Sequence, residues 1–572
     1  MNVFQVKYIV VIGFLFSGVT VFGQVKPKKD NLRTENITVI KTFNPTINDA
    51  FKIQTPVSSD DDEKKSKKVS IFRIKSVPVA STFVPIKAKS IAVKRERKKL
   101  PPQNYASLAG GNFGNAEAEV FMSYLAGKDA MFSALLLHQS SQGGIDNIRV
   151  DDFYYDTDLQ LSYEKQDRKT PWGLFFQAQH QLYNWYGIPK KLTLSDSQLN
   201  SIDPNHTFVD VNIGGDITLN TPIIKGLDTQ IRYFFDDYNS SEVNFTATPH
   251  FNFDVDKYNL DLPVELDVLA GSFNPENFIT ETKYQIVNLG IKPSVLLNYY
   301  DVDFKLGVSG FVSADTENSK TSFYVYPNIL ATYQLKNTGI SVFGGLTGGL
   351  KQNTYHNAST NNLFVAPTLV LTPTSEQYNL HAGVQGSFNS QLSYQVKASY
   401  NSEQDKALYQ RLGNLNIGTE VVNFGFNNAF GYVYADVNTG TLTGDLSCNI
   451  TDHYRISLSA SFFTYNTKGQ LEAWNLPQVK TTLRGNYNFD EKLNFETSIF
   501  FIGTQKDFDS ITNSAVEVDS IFDVNIGANY SITENWKAFI KGKNITNQNY
   551  ERWLDYPVQS AQGLIGIRYL FK

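Results

Sequence analysis

The chain of 572 residues holds a single cysteine, Cys448. An intramolecular disulfide and a cysteine-based metal cluster are therefore both excluded. In an exported chain a lone Cys reads as a small buried filler. Histidine is scarce too. His138, His180, His206, His250, His356, His381 and His453 include no pair at metal-ligand spacing, and no metal or other cofactor is expected. Asp60 to Glu63 and Asp151-Asp152 lack the ligand pattern of a calcium loop. After residue 23 no stretch approaches 18 uninterrupted apolar residues, so no helix should cross a bilayer. No helical period appears beyond residue 105. No basic groove interleaved with aromatics is found there either, so nucleic acid is not an expected partner. Gly344-Gly345 and Gly348-Gly349 lie in a strand pattern with no helix following. They read as places where a strand bends, not as a phosphate loop.

What is abundant is aromatic. Phe (41) and Tyr (31) dominate an aromatic share of 13%, and they recur in alternation with polar residues. Ile456, Leu458, Ala460 and Phe462 alternate with Arg455, Ser457, Ser459 and Ser461. Phe522, Val524, Ile526, Ala528 and Tyr530 alternate with Asp523, Asn525, Gly527 and Asn529. This is the period of a strand with one apolar and one polar face. The segments 227–238, 281–298 and 519–531 run past ten residues, long for a globular strand and suited to a tilted strand across a membrane. Connections alternate in length. Short turns are expected at 127–129, 336–339, 489–492 and 532–535, and longer polar stretches at 184–206, 351–362, 402–418, 464–478, 504–518 and 544–561. Short turns on one rim and long loops on the other are the habit of an outer-membrane barrel. The expected fold is all-β, one large antiparallel transmembrane β-barrel over 105–572. It should have about 20 strands, within a range of about 16–22, and an even number. The region 420–450 is ambiguous, with 436–440 readable as a short loop on either rim.

The first 104 residues have another character. Residues 1–23 read as a secretory signal peptide, with Lys7 before an apolar run and small residues ahead of Gln24. Residues 24–104 carry 19 Lys and Arg against 8 Asp and Glu, a net of +11, whereas 105–572 carry 31 against 48, a net of −17. Such charge runs cannot sit in a core, so 24–104 is expected to be a mostly irregular basic arm on the periplasmic side. Its readings are a tether, a segment that enters the lumen, or a docking segment for a periplasmic partner.

The last ten residues, Gly563-Leu-Ile-Gly-Ile-Arg-Tyr-Leu-Phe-Lys572, form a candidate closing strand with Ile565, Ile567, Tyr569 and Phe571 on one face. The spacing Gly566, Tyr569, Phe571 resembles the carboxyl-terminal signal of bacterial outer-membrane barrels, although Leu564 and Lys572 depart from it. Lys543-Asn-Ile-Thr-Asn-Gln-Asn-Tyr550, followed by Tyr556-Pro557-Val558 and the closing strand, resembles the carboxyl end of TonB-dependent outer-membrane receptors. That resemblance implies a receptor-type barrel in a Gram-negative outer membrane, in contact with its lipid. Such receptors carry a globular plug of well over a hundred residues, which 24–104 cannot supply, so the expected barrel is plugless. Thr34-Glu35-Asn36-Ile37-Thr38-Val39 resembles the short box that the family offers to TonB.

Three functional readings follow. The first is binding and passage of a solute, in the manner of a porin or receptor. The second is a non-transporting scaffold subunit of a multi-protein outer-membrane complex, docking partners through residues 24–104. The third is a hydrolase. His138 and Ser140 share a strand face near a strand end, where an imidazole can take a hydroxyl proton, with Asn147 or Asp152 as the orienting group. This spacing is similar to that of outer-membrane phospholipases. A structural rim motif is the competing account, and the chain is expected not to be an enzyme.

Overall fold

The computed structural model describes residues 104–274, 281–336, 338–388, 391–415, 422–451 and 453–571. The signal peptide 1–23, the arm apart from Asn104 and the segment Thr34 to Val39 lie outside the described residues.

Lipid offers no hydrogen-bond partners, so a strand that crosses it must pair on both sides and the sheet must close. It does so where Asn104–Gly111 pairs antiparallel with Gln562–Phe571, from Asn104 opposite Phe571 to Gly111 opposite Leu564. Thr282–Ile291 and Ser294–Tyr299 lie between the same two neighbours, Tyr258–Phe273 and Val302–Asp315. They are two halves of one barrel strand, and the barrel has 22 strands. The sequence pattern had run straight through this break. Pro293 has no N–H to donate, so the ladder lapses there. Pro293 still accepts, from Val308 N at 3.2 Å, and Lys292 N reaches Pro263 O at 3.1 Å.

The strand number follows from where the chain starts and stops. Asn104 and Phe571 both sit on the rim that carries the short turns. Ten short turns then join eleven hairpins, which makes 22 strands, at the upper end of the expected range. Two further expectations shift. The segment 436–440 is neither loop nor turn, because Phe430–Asn449 is one continuous strand of 20 residues. The polar stretches 402–418 and 464–478 begin inside strands that continue to Arg411 and Lys468. Past the lipid both faces of a ribbon are wet, so it reads as polar although its pairing goes on. Short helices also occur at Asp196–Leu199 and Tyr355–Asn361, in outer loops. They span two turns or less, too short to leave a period in the sequence, and are fixed by the caps Ser195 and Thr354.

The faces are inverted relative to a soluble sheet. In Ala116–Leu125, Met122 and Tyr124 are exposed, while Phe121 and Ser123 are buried. In the closing strand Ile565 is 72% and Ile567 50% exposed. Tyr569 stacks outside on Trp536 at 4.7 Å and Phe571 at 6.1 Å. Arg568 turns inward to Glu119 Oε2 at 3.2 Å. Gly566 has a packing reason: a Cβ there would lie 2.3 Å from the Phe539 ring and 2.6 Å from Leu108 O. The glycine pairs at 344–349 sit in Ile340–Lys351, with a bulge between Thr347 and Gly349, as the bending reading expects.

Gly566→Ala should therefore cost roughly 1–3 kcal/mol by overpacking the closing seam. The check is the temperature at which the folded band is lost in semi-native electrophoresis. Ile565→Ala, on the lipid side of the same strand, should move it less. Equal shifts would show that the contact with Phe539 is not what the glycine serves.

Candidate functional site

The outer loops turn inward over the barrel mouth. Loops 185–204, 352–373 and 544–561, with the described part of 412–429, contribute most of the main buried cluster. Tyr556 is central to it. Its ring stacks on Phe364 at 3.5 Å with an interplanar angle of 18°, and Tyr186 meets it edge-on at 4.9 Å. Its hydroxyl donates to Asn428 O, and the Tyr186 hydroxyl donates to Pro557 O at 2.9 Å. Gly187 leaves room for this ring, since a Cβ there would lie 2.2 Å from Tyr556 Cε2. Phe430 N donates to Phe364 O and Ala366 N to Phe430 O, each at 2.9 Å, which ties two loops together through their backbones.

A buried cation locks the same loops. Arg411 donates to Asn427 O, to Gly187 O at 3.1 Å and to the Asp555 carboxylate. Asp507, from the loop hairpin Gln505–Asp509, lies beside it and accepts from Phe508 N at 2.8 Å and Arg411 N at 3.4 Å. Burial nevertheless dominates and pushes the Asp507 carboxyl up to about 6.

The barrel wall holds the cap from below. Glu242 accepts from Tyr355 N at 2.6 Å and His356 N at 3.1 Å, the first amides of the helix Tyr355–Asn361, and from Tyr284 Oη at 3.0 Å. The first helix amides lack internal partners, and the Glu242 carboxyl oxygens accept from them. Tyr355 Oη donates to Asp236 Oδ2 at 2.6 Å. His356 Nδ1 accepts from Arg232 Nη1 at 2.9 Å. Burial first, and the Arg232 charge second, hold the His356 imidazole down to about 3. His206 is enclosed between Trp185 and Phe208, each at 4.1 Å. By sequence alone His206 and His356 read as solvated outer-loop residues within reach of a ligand, and the strand-end pair Asp236-Asp237 reads as a solvated rim. For His206 and Asp236 this is corrected: they are 1% and 7% exposed. His356 is partly buried. The loops that the sequence marks as polar fold back on the wall, drawn in by short apolar runs such as 363–366 that adjoin the polar stretches.

Below the cap the lumen is polar. Glu117 lies between Lys541 Nζ at 2.6 Å and Lys543 Nζ at 2.5 Å. Asp210 pairs with Arg232 Nε at 3.1 Å. Asp156 accepts from Gln179 at 2.8 Å and Gln181 at 3.2 Å. A recess of about 600 Å³ is lined by Ser341, Gln385, Gln395, Asp445, Ser459 and Arg484, among others.

The hydrolase candidates are placed but not assembled. His138 and Ser140 share a face of Ala130–Ser141 as expected, on the side of the lipid-exposed Phe132 and Leu136. His138 Nδ1 is engaged by Thr157 Oγ1 at 2.8 Å. Asp152 Oδ2 accepts from Ile145 N at 2.8 Å, within its own loop. Among the described residues no group of three His, Cys, Asp or Glu side chains could hold a metal.

No protein-family model matches the chain, and no curated protein matches it. Solved structures do. The FrpB iron transporter from Neisseria meningitidis is similar with a TM-score of 0.60 at 10% identity, over 82% of this chain and 82% of that one. The siderophore receptor PirA from Acinetobacter baumannii gives 0.60 at 12% identity, over 82% and 80%. The copper transporter OprC gives 0.58 at 10%, over 84% and 82%. At these identities the likeness is one of fold. The chain has the barrel fold of TonB-dependent metal and siderophore receptors, as its carboxyl-terminal residues imply, and it is an outer-membrane fold.

Two outcomes test the cap. Arg411→Ala should cost on the order of 3–5 kcal/mol by stranding the Asp555 carboxylate and two carbonyls. Proteolysis should then cut loops 185–204 and 544–561 while the folded barrel band persists. The Asp507 carboxyl binds its proton more tightly in the folded protein than at its ordinary value of 3.8. Its contribution therefore favours the cap at low pH and is lost as pH rises through about 6. Asp507→Asn should protect the cap against proteolysis at pH 7.5 and change little at pH 4, a difference that isolates this group from His356.

Proposed function

We propose that the protein binds a solute at its outer face and passes it across the outer membrane, with the interlocked loops as the gate. The supporting observation is the combination of a closed 22-strand wall, a polar lumen and an outer mouth sealed by aromatic side chains. A barrel this wide is not filled by its own side chains. A loop seal gives it a closed state without a globular plug. The similar solved structures are named for iron, copper and siderophores, so metal chelates are the first cargo to test. In this reading Thr34 to Val39 offers the contact with TonB.

The same seal favours one other reading. A barrel capped by loops that hold one another, with Arg411 buried among three of them, also suits a scaffold subunit that docks partners through residues 24–104 and conducts nothing.

Single-channel recording of the intact protein and of Tyr556→Ala separates the two. A gated conduit gives sparse openings in the intact protein and far more frequent ones once the central ring is removed. Silence in both, with the folded barrel band retained, would sink the passage reading. Fixed partners that co-purify through residues 24–104 would then support the scaffold.

A further inference from the structure

The wall has an open edge in its outer half. The strand Lys320–Gln334 pairs along its length with Val302–Asp315, from Val302 opposite Tyr333 to Asp315 opposite Lys320. On its other side the ladder with Ile340–Lys351 runs only from Gln334 opposite Ser341 to Asn328 opposite Thr347. Past the bulge between Thr347 and Gly349, Ile340–Lys351 pairs with Thr374–Ser387 alone. Thr374, Ser375 and Glu376 are at most 3% exposed there. This pair of strands is drawn into the buried interior and leaves its neighbour behind.

Exposure marks the same break. On the paired half of Lys320–Gln334 the outward Ile329 and Tyr333 are 40% and 41% exposed, whereas Val325 and Phe323 are 74% and 77% exposed. On the inner side the break is bridged, because Tyr326 Oη donates to Ser375 Oγ at 2.7 Å. The result is a notch that faces the membrane, not a hole into the lumen.

The direction of the free backbone groups follows from the end of the strand. Leu335 N donates to Ile340 O at 2.9 Å on one side, and Gln334 N to Asp301 O at 3.5 Å on the other. Residues of an antiparallel strand alternate in this way, and the register with Val302–Asp315 carries no bulge. Thr321, Phe323 and Val325 therefore turn N–H and C=O to the open side, and Pro327 has no N–H to turn there. Outward side chains stay apolar up to Phe323 and become polar at Thr321. From Tyr333 to Phe323 is about 34 Å along the strand, or roughly 25 Å of height at a barrel tilt, which is the height of the lipid-facing band. Acyl chains offer no hydrogen bonds, so unpaired groups at this depth are costly. Native edges are blunted by charge, proline or a bulge. Here Lys320 and Pro327 stand at the two ends, and Thr321-Ser-Phe-Tyr-Val-Tyr326 between them has none of these.

We propose that the edge from Thr321 to Val325 docks an extended segment of a partner protein, which joins the wall as an added strand in the outer leaflet. An extended polypeptide presents N–H and C=O groups at the spacing of this edge, and a lipid tail presents none. The segment is apolar where it flanks Phe323 and Val325. A second copy of the barrel does not fit, because two barrels in one membrane meet with their tilted strands crossed. A partner strand here is compatible with either reading of the barrel, conduit or scaffold.

Photo-cross-linking in native outer membranes tests this, with p-benzoylphenylalanine placed at Phe323 in the full chain. The control position is Ile231, exposed on a strand that is paired on both sides. The expected result is one polypeptide adduct from Phe323 and none from Ile231. Val325→Pro removes an edge N–H that Val302–Asp315 does not use, and should cut the yield several-fold while the folded barrel band persists. Val325→Ala keeps that N–H and should cut it less. Hydrogen exchange gives a second readout without substitution. The Phe323 and Val325 amides should be protected in native membranes and exchange fast once the protein is purified alone in detergent. Adducts with lipid only or with a second copy of this chain, equal losses in Val325→Pro and Val325→Ala, or amides that behave alike in both preparations would each overturn the proposal.

Discussion

A backbone amide in hydrocarbon has no water to turn to, and the rest of this molecule is arranged around that requirement. It forces every membrane-crossing segment into a paired strand and forces the first strand to meet the last. The seam between Asn104–Gly111 and Gln562–Phe571 is where the condition is met. Pro293 shows its limit: one missing donor divides a strand, and the two halves keep their neighbours. Once the wall closes, an interior exists whether or not it has a use, and its contents become the functional question.

The wall was legible in the sequence and the contents were not. Strand alternation is a local pattern, and residues such as Ile456 to Phe462 state it within eight positions. The closing strand was legible for the same reason, down to the inward Arg568 and the outward Tyr569. The strand number came out at 22, the upper end of the expected range, because both chain ends lie on the rim of short turns. The cap was missed for a different reason. Its loops read as polar over most of their length, and the short buried runs that hold Tyr186, Phe364, Asn428 and Tyr556 are set far apart in the chain. Tyr556 was noticed only through its resemblance to a receptor family, and Arg411, Glu242 and His206 carried no signal at all. Burial of a lone charged residue is decided by partners that a linear reading cannot bring together. The charge imbalance between residues 24–104 and the barrel was plain.

Glycine and carboxylate roles in the cap follow one logic. A large ring or a helix end needs a close partner, so the partner is either the smallest residue, Gly187 beneath Tyr556, or a fixed hydrogen-bond acceptor, Glu242 beneath the helix Tyr355–Asn361. Both make the cap a specific packing, not a general collapse of hydrophobic loops. It can therefore be lost as a unit while the wall stays intact.

The cap also sets an order of events. Tyr186 and Pro557 are 371 residues apart, and Asn428 and Trp185 are 243 apart. Contacts at such separations form late, after the entropy of closing the intervening chain has been met by the wall itself. The mouth must stay open until the final hairpin is in place. A chain stalled before that point would present its aromatic loop residues to the outside, so the sealed mouth doubles as a record that assembly has been completed.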